Sequence, residues 1–356
     1  MFKEQYPETI YVSFYPYTYV RVMAMKGKLY NKQDYDKLLK MQGSDIAAYL
    51  ENSDYKEDIL ALGKTYTGYT LVERGLYSNL IRNMQKLLRI CSPEMNYLLR
   101  AYLFRHDVYN VKTILRGKAA GQKNTEIEAL LLPLGTFTDK KLSVLLSQES
   151  MSSVLTKAGF TDREFADARA YYEKEKSLLA LENFLDKSYY TFLFTFLTKL
   201  AGEHQLFKEL LQTEIDVLNI KLLLRLKKQG LGQQDILSFF FSGGALFSIS
   251  KLHGLAAKDF AGIVQALSQT SLRSLITLHQ DALLQQDLKG FEKSLDVWHL
   301  QKATLLLHQF PLSVDTLLGY MFAKEIEMRN LRVLVKGKQF GLTEQFLEEQ
   351  LVLDKK

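Results

Sequence analysis

Apolar residues recur at three- and four-residue spacing along most of the chain, which is the pattern of amphipathic helices. Gly, Ser, Asn and Pro cluster between these stretches and indicate where helices end. Strand-like alternation is confined to residues 9–19. The pattern predicts an all-α fold, with helices over residues 34–40, 45–50, 71–90, 95–104, 162–184, 188–200, 215–229, 259–267, 290–307 and 317–335.

A pattern that we call the Asn box occurs three times. It reads acid-x-x-Asn-apolar-base-x-apolar-apolar-base-x-Lys-x-x-Gly and spans residues 107–121, 216–230 and 327–341. Its asparagines, Asn110, Asn219 and Asn330, are almost evenly spaced along the chain. A degraded fourth copy, which has Arg21 but lacks the asparagine, spans residues 19–28.

A second pattern, the Glu box, is Glu-x-x-Leu followed by Asp or Tyr. It begins at Glu73, Glu182 and Glu292, each of which precedes the next Asn-box asparagine by nearly the same interval. Two patterns with one period and one internal interval indicate three tandem, pseudo-symmetric helical units of about 110 residues. We place these units at residues 1–106, 107–213 and 214–356. Because no flexible spacer separates them, we expect one stiff body.

Each residue of a helix adds about 100° of rotation, so the Asn box places its two bases on one helix face. The bases fall opposite the apolar positions and form a basic stripe. A stripe that recurs in every unit predicts a partner interface; alternatively, it is a solvated face whose aliphatic stems cover the core. The candidate interface residues are Arg21, Lys112, Arg116, Lys221, Arg225, Arg332 and Lys336.

The glutamate of each Glu box lies among apolar positions, where an unpaired carboxylate is costly to bury. Because the interval is constant, we take each Glu box and the Asn box that follows it at that interval as one repeat, and we expect the glutamate to pair with a base of that Asn box. The alternative is an acid placed favourably at a helix N-terminus. The recurring lysine of the Asn box falls on the apolar side, so the candidates for buried pairs are Glu73, Glu182, Glu292, Lys118, Lys227 and Lys338.

Composition adds few constraints. The 356 residues are 47% hydrophobic and 24% charged, as in ordinary soluble proteins. The single cysteine, Cys91, excludes an internal disulfide framework and fits a reducing compartment. The net charge of +6 comes without basic clusters of the nucleic-acid-binding kind, so we expect no nucleic-acid partner. No signal peptide, membrane span, phosphate-binding loop, metal-ligand spacing or nucleophile motif occurs, so we expect a cytosolic, non-catalytic protein without cofactor, metal or small-molecule substrate.

The ordered boxes resemble those of the C subunits of the V/A-type rotary ATPases, called d in eukaryotes. The resemblance is carried by YVRVMAMK at residues 19–26, LENFLDKSYY at 181–190, FEKSLDV at 291–297 and EIEMRNLRVL at 325–334. It covers essentially the whole chain, and Tyr77, which stands where the other Glu boxes have an acid, departs from it.

The resemblance implies a funnel of three helical domains around a pseudo-threefold axis, present once per complex. It implies a non-catalytic central-stalk subunit on the cytoplasmic face of the membrane. Its partners would be the coiled-coil rotor shaft with its companion subunit, and the membrane proteolipid ring, between which it would transmit torque. The alternative is a helical-repeat scaffold that binds another protein or RNA, although such repeats are usually shorter and more numerous.

Overall fold

A computed structural model describes residues 6–202, 205–306 and 312–353 of the chain. Across these residues it contains 20 helices and two three-residue strands, so the predicted all-α class is confirmed. The elements are β1 (Ile10–Val12), α1 (Pro16–Lys26), α2 (Lys32–Lys40), α3 (Gly43–Leu50), α4 (Lys56–Leu62), α5 (Gly68–Ile90), α6 (Pro93–Ala119), α7 (Asn124–Glu128), α8 (Asp139–Leu146), α9 (Met151–Ala158), α10 (Ala166–Glu175), α11 (Leu179–Leu197), β2 (Leu200–Gly202), α12 (Gln205–Lys228), α13 (Gln233–Leu237), α14 (Ile249–Ala256), α15 (Phe260–Leu267), α16 (Arg273–Leu278), α17 (Gln280–Leu284), α18 (Lys289–Leu306), α19 (Val314–Gln339) and α20 (Glu344–Gln350).

Several predicted boundaries differ from the structure, and two of the differences change the elements themselves. Only β1 is extended within residues 9–19, because Pro16 at the first helical position starts α1. The predicted break between residues 184 and 188 is wrong, since α11 runs through it without interruption. The chain breaks instead at Lys176, whose left-handed backbone (φ 52°) ends α10. Leu307, the predicted end of the helix starting at residue 290, lies outside the described residues.

The first of two compact units comprises Met1–Val12 and Cys91–Gly202. The long helix α6 is its centre: α7, α8, α9 and α11 pack against it, and α10 packs against α11. Strand β1 pairs in parallel with β2, Ile10 facing Leu200. The first Asn box lies on α6 and the second Glu box lies on α11, so this unit places one copy of each box side by side.

The second unit comprises Ser13–Ile90 and Glu203–Lys356. Helix α12 packs against α13, α14, α15 and α18, while α19 packs against α18, α5, α3, α1 and α20. One buried core cluster joins residues of α2–α5, including Leu38 and Leu76, to Leu334 on α19 and Leu347 on α20. The N-terminal helices α2–α5 and the C-terminal helices α19 and α20 therefore fold around a single core.

The three Asn-box helices end in the same way. The final glycine of each box, Gly121, Gly230 or Gly341, has a positive φ of 66°, 79° or 69°. In each copy the next residue donates its N–H to the carbonyl four residues before that glycine, at 2.9, 3.1 and 2.9 Å. This is a helix stop that requires a left-handed residue, and glycine adopts that conformation without strain. The degraded copy differs, because Gly27 keeps a right-handed backbone (φ −60°).

We expect Leu347→Ala to lower the free energy of unfolding of the second unit by about 2–5 kcal/mol, because it opens a cavity in the core that α20 shares with α2–α5. Hydrogen exchange should accelerate in α2–α5, which lie near the opposite end of the sequence. The matched change in the first unit, Ile127→Ala, stands at the same place after its own Asn box and is equally buried. It should accelerate exchange in α6–α9 and leave α2–α5 protected, whereas unchanged exchange of α2–α5 in Leu347→Ala would contradict the shared core.

Candidate functional site

The asparagine of every Asn box binds the backbone of the segment that follows its helix. Asn110 accepts the N–H of Leu132 at 2.7 Å and donates to its carbonyl at 2.6 Å. Asn219 binds Phe241 in the same two ways, and Asn330 binds Val352, with distances of 2.8–2.9 Å. All three asparagines are at most 2% exposed. A buried side-chain amide thus pairs both backbone groups of one residue and fixes the following segment to the helix.

The acid that opens the first two Asn boxes holds a turn of backbone. The carboxylate of Asp107 accepts the N–H groups of Thr136 and Phe137 at 2.7 and 3.0 Å. The carboxylate of Asp216 accepts three consecutive N–H groups, from Ala245 to Phe247, at 2.8–3.1 Å. Burial raises the pKa of both carboxyls, and the backbone donors oppose this by stabilising the anion.

Each carboxylate fits because a glycine lies against it. A methyl group added to Gly135 or Gly244 would stand 2.2 Å from an oxygen of Asp107 or Asp216. Each glycine follows its acid at the same interval along the chain. Sequence reasoning missed this contact, although the shared spacing of acid and glycine was visible.

In the third Asn box, the acid binds residues near the beginning of the chain. Glu327 accepts the N–H of Tyr30 and the hydroxyl of Tyr55, each at 2.6 Å, and pairs with Lys324 at 2.7 Å. Tyr30 precedes Asn31, the N-cap of α2, as Phe137 precedes the N-cap of α8. The segment at Tyr30 therefore takes the place that a following segment of the chain takes in the first two copies.

The basic stripes face the Glu boxes. On α6, Arg116 forms two parallel hydrogen bonds of 2.6 Å to Glu182 on α11, and Lys112 pairs with Asp186 at 2.7 Å. The second unit repeats the arrangement between α12 and α18: Arg225 binds Glu292 through two 2.6 Å bonds, and Lys221 pairs closely with Asp296. The hydrogen bonds that Arg116 and Arg225 donate to these carboxylates raise the pKa of both guanidinium groups.

The third copy joins α19 to α5. Lys336 pairs with Glu73 at 2.6 Å, and Arg332 lies 3.8 Å from the same carboxylate. The position of the second acid is occupied by Tyr77, and the guanidinium of Arg332 lies 5.1 Å from the centre of that ring. A cation–π contact thus stands where the other two copies have an ion pair. This explains how the departure at Tyr77 is accommodated.

The prediction that each glutamate pairs with the Asn box that follows it is wrong. Glu182 and Glu292 do not pair with the Asn box that follows them; their arginine partners come 66 and 67 residues earlier. Glu73 pairs with the last Asn box of the chain. The constant interval reflects only which boxes are neighbours along the chain. The contacts join the second and third Glu-box helices to the Asn-box helix before each of them, and they join the first Glu-box helix to the last Asn-box helix. Glu182 and Glu292 also lie in the first turn of their helices, so the helix dipole adds to the pair.

The recurring lysines do not pair with these glutamates. Lys118 donates to the carbonyl of Leu146 at 2.9 Å, and Lys338 donates to that of Leu39 and lies 3.9 Å from Glu344. Lys227 is half-buried and has no ion pair among the described residues. Arg21 is exposed on α1, with its guanidinium 5.9 Å from the ring of Tyr17.

The described residues contain no group of three or more His, Cys, Asp or Glu side chains placed to hold a metal ion. Burial raises the pKa of Cys91 to about 12, so its thiol is protonated near neutral pH. No helix in the described part is long and apolar enough to cross a membrane.

The site that recurs is a set of ion-paired helix couples: α6 with α11, α12 with α18, and α19 with α5.

These features define an all-helical repeat protein whose recurring polar residues join helices to one another. The sequence model of the ATP synthase (C/AC39) subunit family matches residues 18–350, and the chain belongs to that family. It is 35% identical to the A-type ATP synthase C subunit of Methanosarcina barkeri, covering 96% of this chain and 93% of the relative. The corresponding C subunits of Methanococcoides burtonii and Haloferax volcanii are each 32% identical, covering 96% and 95% of this chain and 95% and 97% of the relatives.

We expect Asn219→Ala to lower the free energy of unfolding by about 2–4 kcal/mol, because both backbone groups of Phe241 are left unpaired in the interior. Unfolding in urea measures this change in the free energy of unfolding. Asn52→Ala is the control: that amide is exposed and donates to the carbonyl four residues earlier, so its loss should cost less than about 0.5 kcal/mol. Equal effects of the two changes would show that the recurring asparagine has no special role.

A double-mutant cycle on Arg225→Met and Glu292→Gln should give a coupling energy of about 0.5–1 kcal/mol, since Arg225 is 58% exposed and water screens the pair. The cycle on Lys221→Met and Asp296→Asn should give more, because these side chains are only 16% and 17% exposed. Coupling that is absent in both cycles, or larger for the exposed pair, would contradict this account of the helix couples.

Proposed function

We propose that this chain is the non-catalytic central-stalk subunit of a V/A-type ion-translocating rotary ATPase. In this role it couples the rotor shaft to the membrane proteolipid ring and transmits torque between them. Membership of the ATP synthase (C/AC39) subunit family is the observation that carries the proposal. The relatives named as C subunits of A-type ATP synthases are matched over nearly their whole length, so the similarity includes every repeat.

The helix couples fit such a role. A body that passes torque must resist sliding of one helix along its neighbour. Each couple has apolar packing together with charged or aromatic contacts on successive turns, and each Asn-box helix also holds the following segment through its asparagine. Interlocking contacts of this kind rise in energy for any shift along the helix axis.

The partners in this proposal are a coiled-coil shaft with its companion subunit and the proteolipid ring, with one copy of the chain per complex. The chain would lie peripherally on the cytoplasmic face of the membrane. The basic stripes remain candidates for contact with these partners, although their bases also bind the Glu boxes. The side chains of three bases stay partly exposed: 54% for Arg116, 58% for Arg225 and 42% for Lys336. Each of them can therefore bind a second acidic group.

Helix α1 offers another contact. Residues 13–28 contain Arg21, Lys26 and Lys28 and no acidic residue. Phe14, Tyr17 and Val20 are 63–65% exposed there. Exposed aromatic residues beside an arginine are typical of protein interfaces.

Removal of this subunit from the assembled complex tests the proposal. We expect ATP hydrolysis to continue while ATP-driven ion pumping by membrane vesicles is lost, because the nucleotide-binding part is disconnected from the ring. Adding back the purified chain should restore pumping. Pumping that persists without the chain, or hydrolysis that the purified nucleotide-binding subunits cannot carry out without it, would contradict a purely coupling role.

Attachment to the ring should weaken with salt, because broad polar contacts are screened. Arg21→Glu should release the chain from washed membranes at lower salt than the parent. Lys140→Glu, an equal change of charge at an exposed position on α8, is the control and should release as the parent does. Release that is insensitive to salt would count against a polar attachment.

A further inference from the structure

The outer face of α1 carries large apolar side chains and bases but no acid. Phe14, just before the helix, and Tyr17 and Val20 on it are 63–65% exposed. Residues 9–33 contain no Asp or Glu and four bases, which are Arg21, Lys26, Lys28 and Lys32. Helix α1 therefore presents an aromatic and basic face on the surface of the second unit.

The C-terminal turns of α5 extend this face. Helix α1 packs against α5, and the hydroxyl of Thr18 donates to the carbonyl of Ile90, the last residue of α5, at 3.0 Å. Residues 74–93 again contain no acid. On these turns Lys86 is half-buried and Arg89 is exposed. We call the α1–α5 surface the set of Phe14, Tyr17, Val20, Arg21, Lys86 and Arg89.

The bases of the α1–α5 surface have no acid of the same chain to bind. Arg21, Lys86 and Arg89 form no ion pair with any residue that the structure describes. The other six bases that the sequence predicts as an interface all face a carboxylate of a Glu box. Three positive charges on this surface are therefore left without a counter-charge from the described chain.

The acids at the other end of α1 are already bound. Lys28, just after the helix, pairs with Asp54 at 2.8 Å, and Arg82 pairs with Asp58 at 2.9 Å. The exposed Glu57 lies 3.4 Å from the same guanidinium. These acids are opposite bases of their own and lie away from the end of α1 that meets Ile90.

The remaining acids of the neighbouring elements do not offset the charge. Helix α19 also packs against α1, and its acids Asp315 and Glu327 are at most 3% exposed, while Glu325 is half-buried. The next acid after α5 is Glu94, which belongs to the first unit and hydrogen-bonds to Ser92. The α1–α5 surface is therefore positive, and its charge complements an anionic partner.

Exposed aromatic and basic side chains suit a protein interface and a membrane interface alike, and the spacing of the bases decides between them. In each couple of this chain the two bases lie four residues apart on one helix, so that an acidic helix can bind both. The unpaired bases of the α1–α5 surface come from two helices, and α1 supplies only Arg21. An anionic bilayer attracts bases in any arrangement. Aromatic side chains such as Tyr17 are also favoured at the level of the lipid headgroups.

We propose that the α1–α5 surface binds an anionic phospholipid bilayer. Phe14, Tyr17 and Val20 enter the headgroup region, while the three bases face the lipid phosphates. A second copy of this chain is disfavoured as the occupant, because two basic surfaces would face each other. Binding to a bilayer needs no other subunit, so this inference does not depend on the proposed function.

The test uses the full chain and vesicles that contain no protein. One kind is phosphatidylcholine alone, and the other is an equal mixture of phosphatidylcholine and phosphatidylglycerol. In flotation, the chain should bind the mixed vesicles, dissociate as salt is added, and bind phosphatidylcholine much less. Arg21→Gln, Lys86→Gln and Arg89→Gln together should weaken binding to the mixed vesicles by about tenfold or more, since each base near an anionic surface contributes about fivefold.

A variant with the same loss of charge separates this surface from the overall charge of +6. Lys140→Gln, Lys258→Gln and Lys289→Gln together remove three exposed bases elsewhere in the chain and should leave binding to the mixed vesicles unchanged. Tyr17→Ser with Val20→Ser removes apolar contacts and should weaken binding without changing its dependence on salt. Thermal unfolding should be unchanged in all three variants, because none of the replaced side chains is buried.

Equal binding to the two kinds of vesicle, or an equal loss in the Lys140/Lys258/Lys289 variant, would overturn the proposal. So would binding to a soluble helix with Glu and Asp on successive turns when the vesicles are not bound, a result that would identify an acidic protein as the partner. If the vesicles are not bound but pumping is lost when the chain is removed from the complex, this proposal fails and the proposed function stands.

Discussion

A buried side-chain amide that binds a distant backbone residue is the contact on which the rest of the structure depends. The asparagine of each Asn box lies at most 2% exposed, inside a long helix, where an unpaired amide would be costly. Its donor and acceptor are satisfied by the backbone of the following segment, so the position of that segment is determined. Once that segment is in place, the acid one turn earlier collects a second set of backbone donors, and the following helices start from defined N-caps. The opposite face of the helix is then left for the Glu box.

Connectivity gives the third couple a different character from the other two. In the first two couples, the Glu-box helix follows its Asn-box helix within one continuous stretch. In the third, Lys336 and Glu73 stand far apart in the sequence, and Glu327 reaches back to Tyr30 and Tyr55 near the N-terminus. Loop closure over such a distance is slow and costs conformational entropy that only the finished core repays. The core of helices α2–α5 is therefore complete only after α19 and α20 have packed against them.

The sequence was sufficient for the fold class and for the existence of the boxes, because helical periodicity and a repeated pattern are local properties. It did not reveal which box pairs with which. Alternating boxes give each Glu box two neighbours, and only the contacts distinguish the Asn-box helix before it from the one after it. The roles of Asp107 and Gly135 were also missed, since the interval between acid and glycine recurs in two copies but does not by itself show that the two residues touch. Tyr77 looked like a defect in the repeat, but the contact with Arg332 shows that an aromatic ring can take the place of the acid.

Magnitudes indicate which contacts resist a load on the helix couples. Arg116 and Arg225 are more than half exposed, so each of their ion pairs contributes about 0.5–1 kcal/mol. A single buried leucine in the same interfaces contributes more than either pair. Apolar packing and the buried asparagines must therefore provide most of the stiffness. The ion pairs instead favour one register, because a shift of one residue would separate every base from its acid at once. Under the proposed function, torque would strain the packed core first, and salt would affect attachment to partners more than the integrity of the couples themselves.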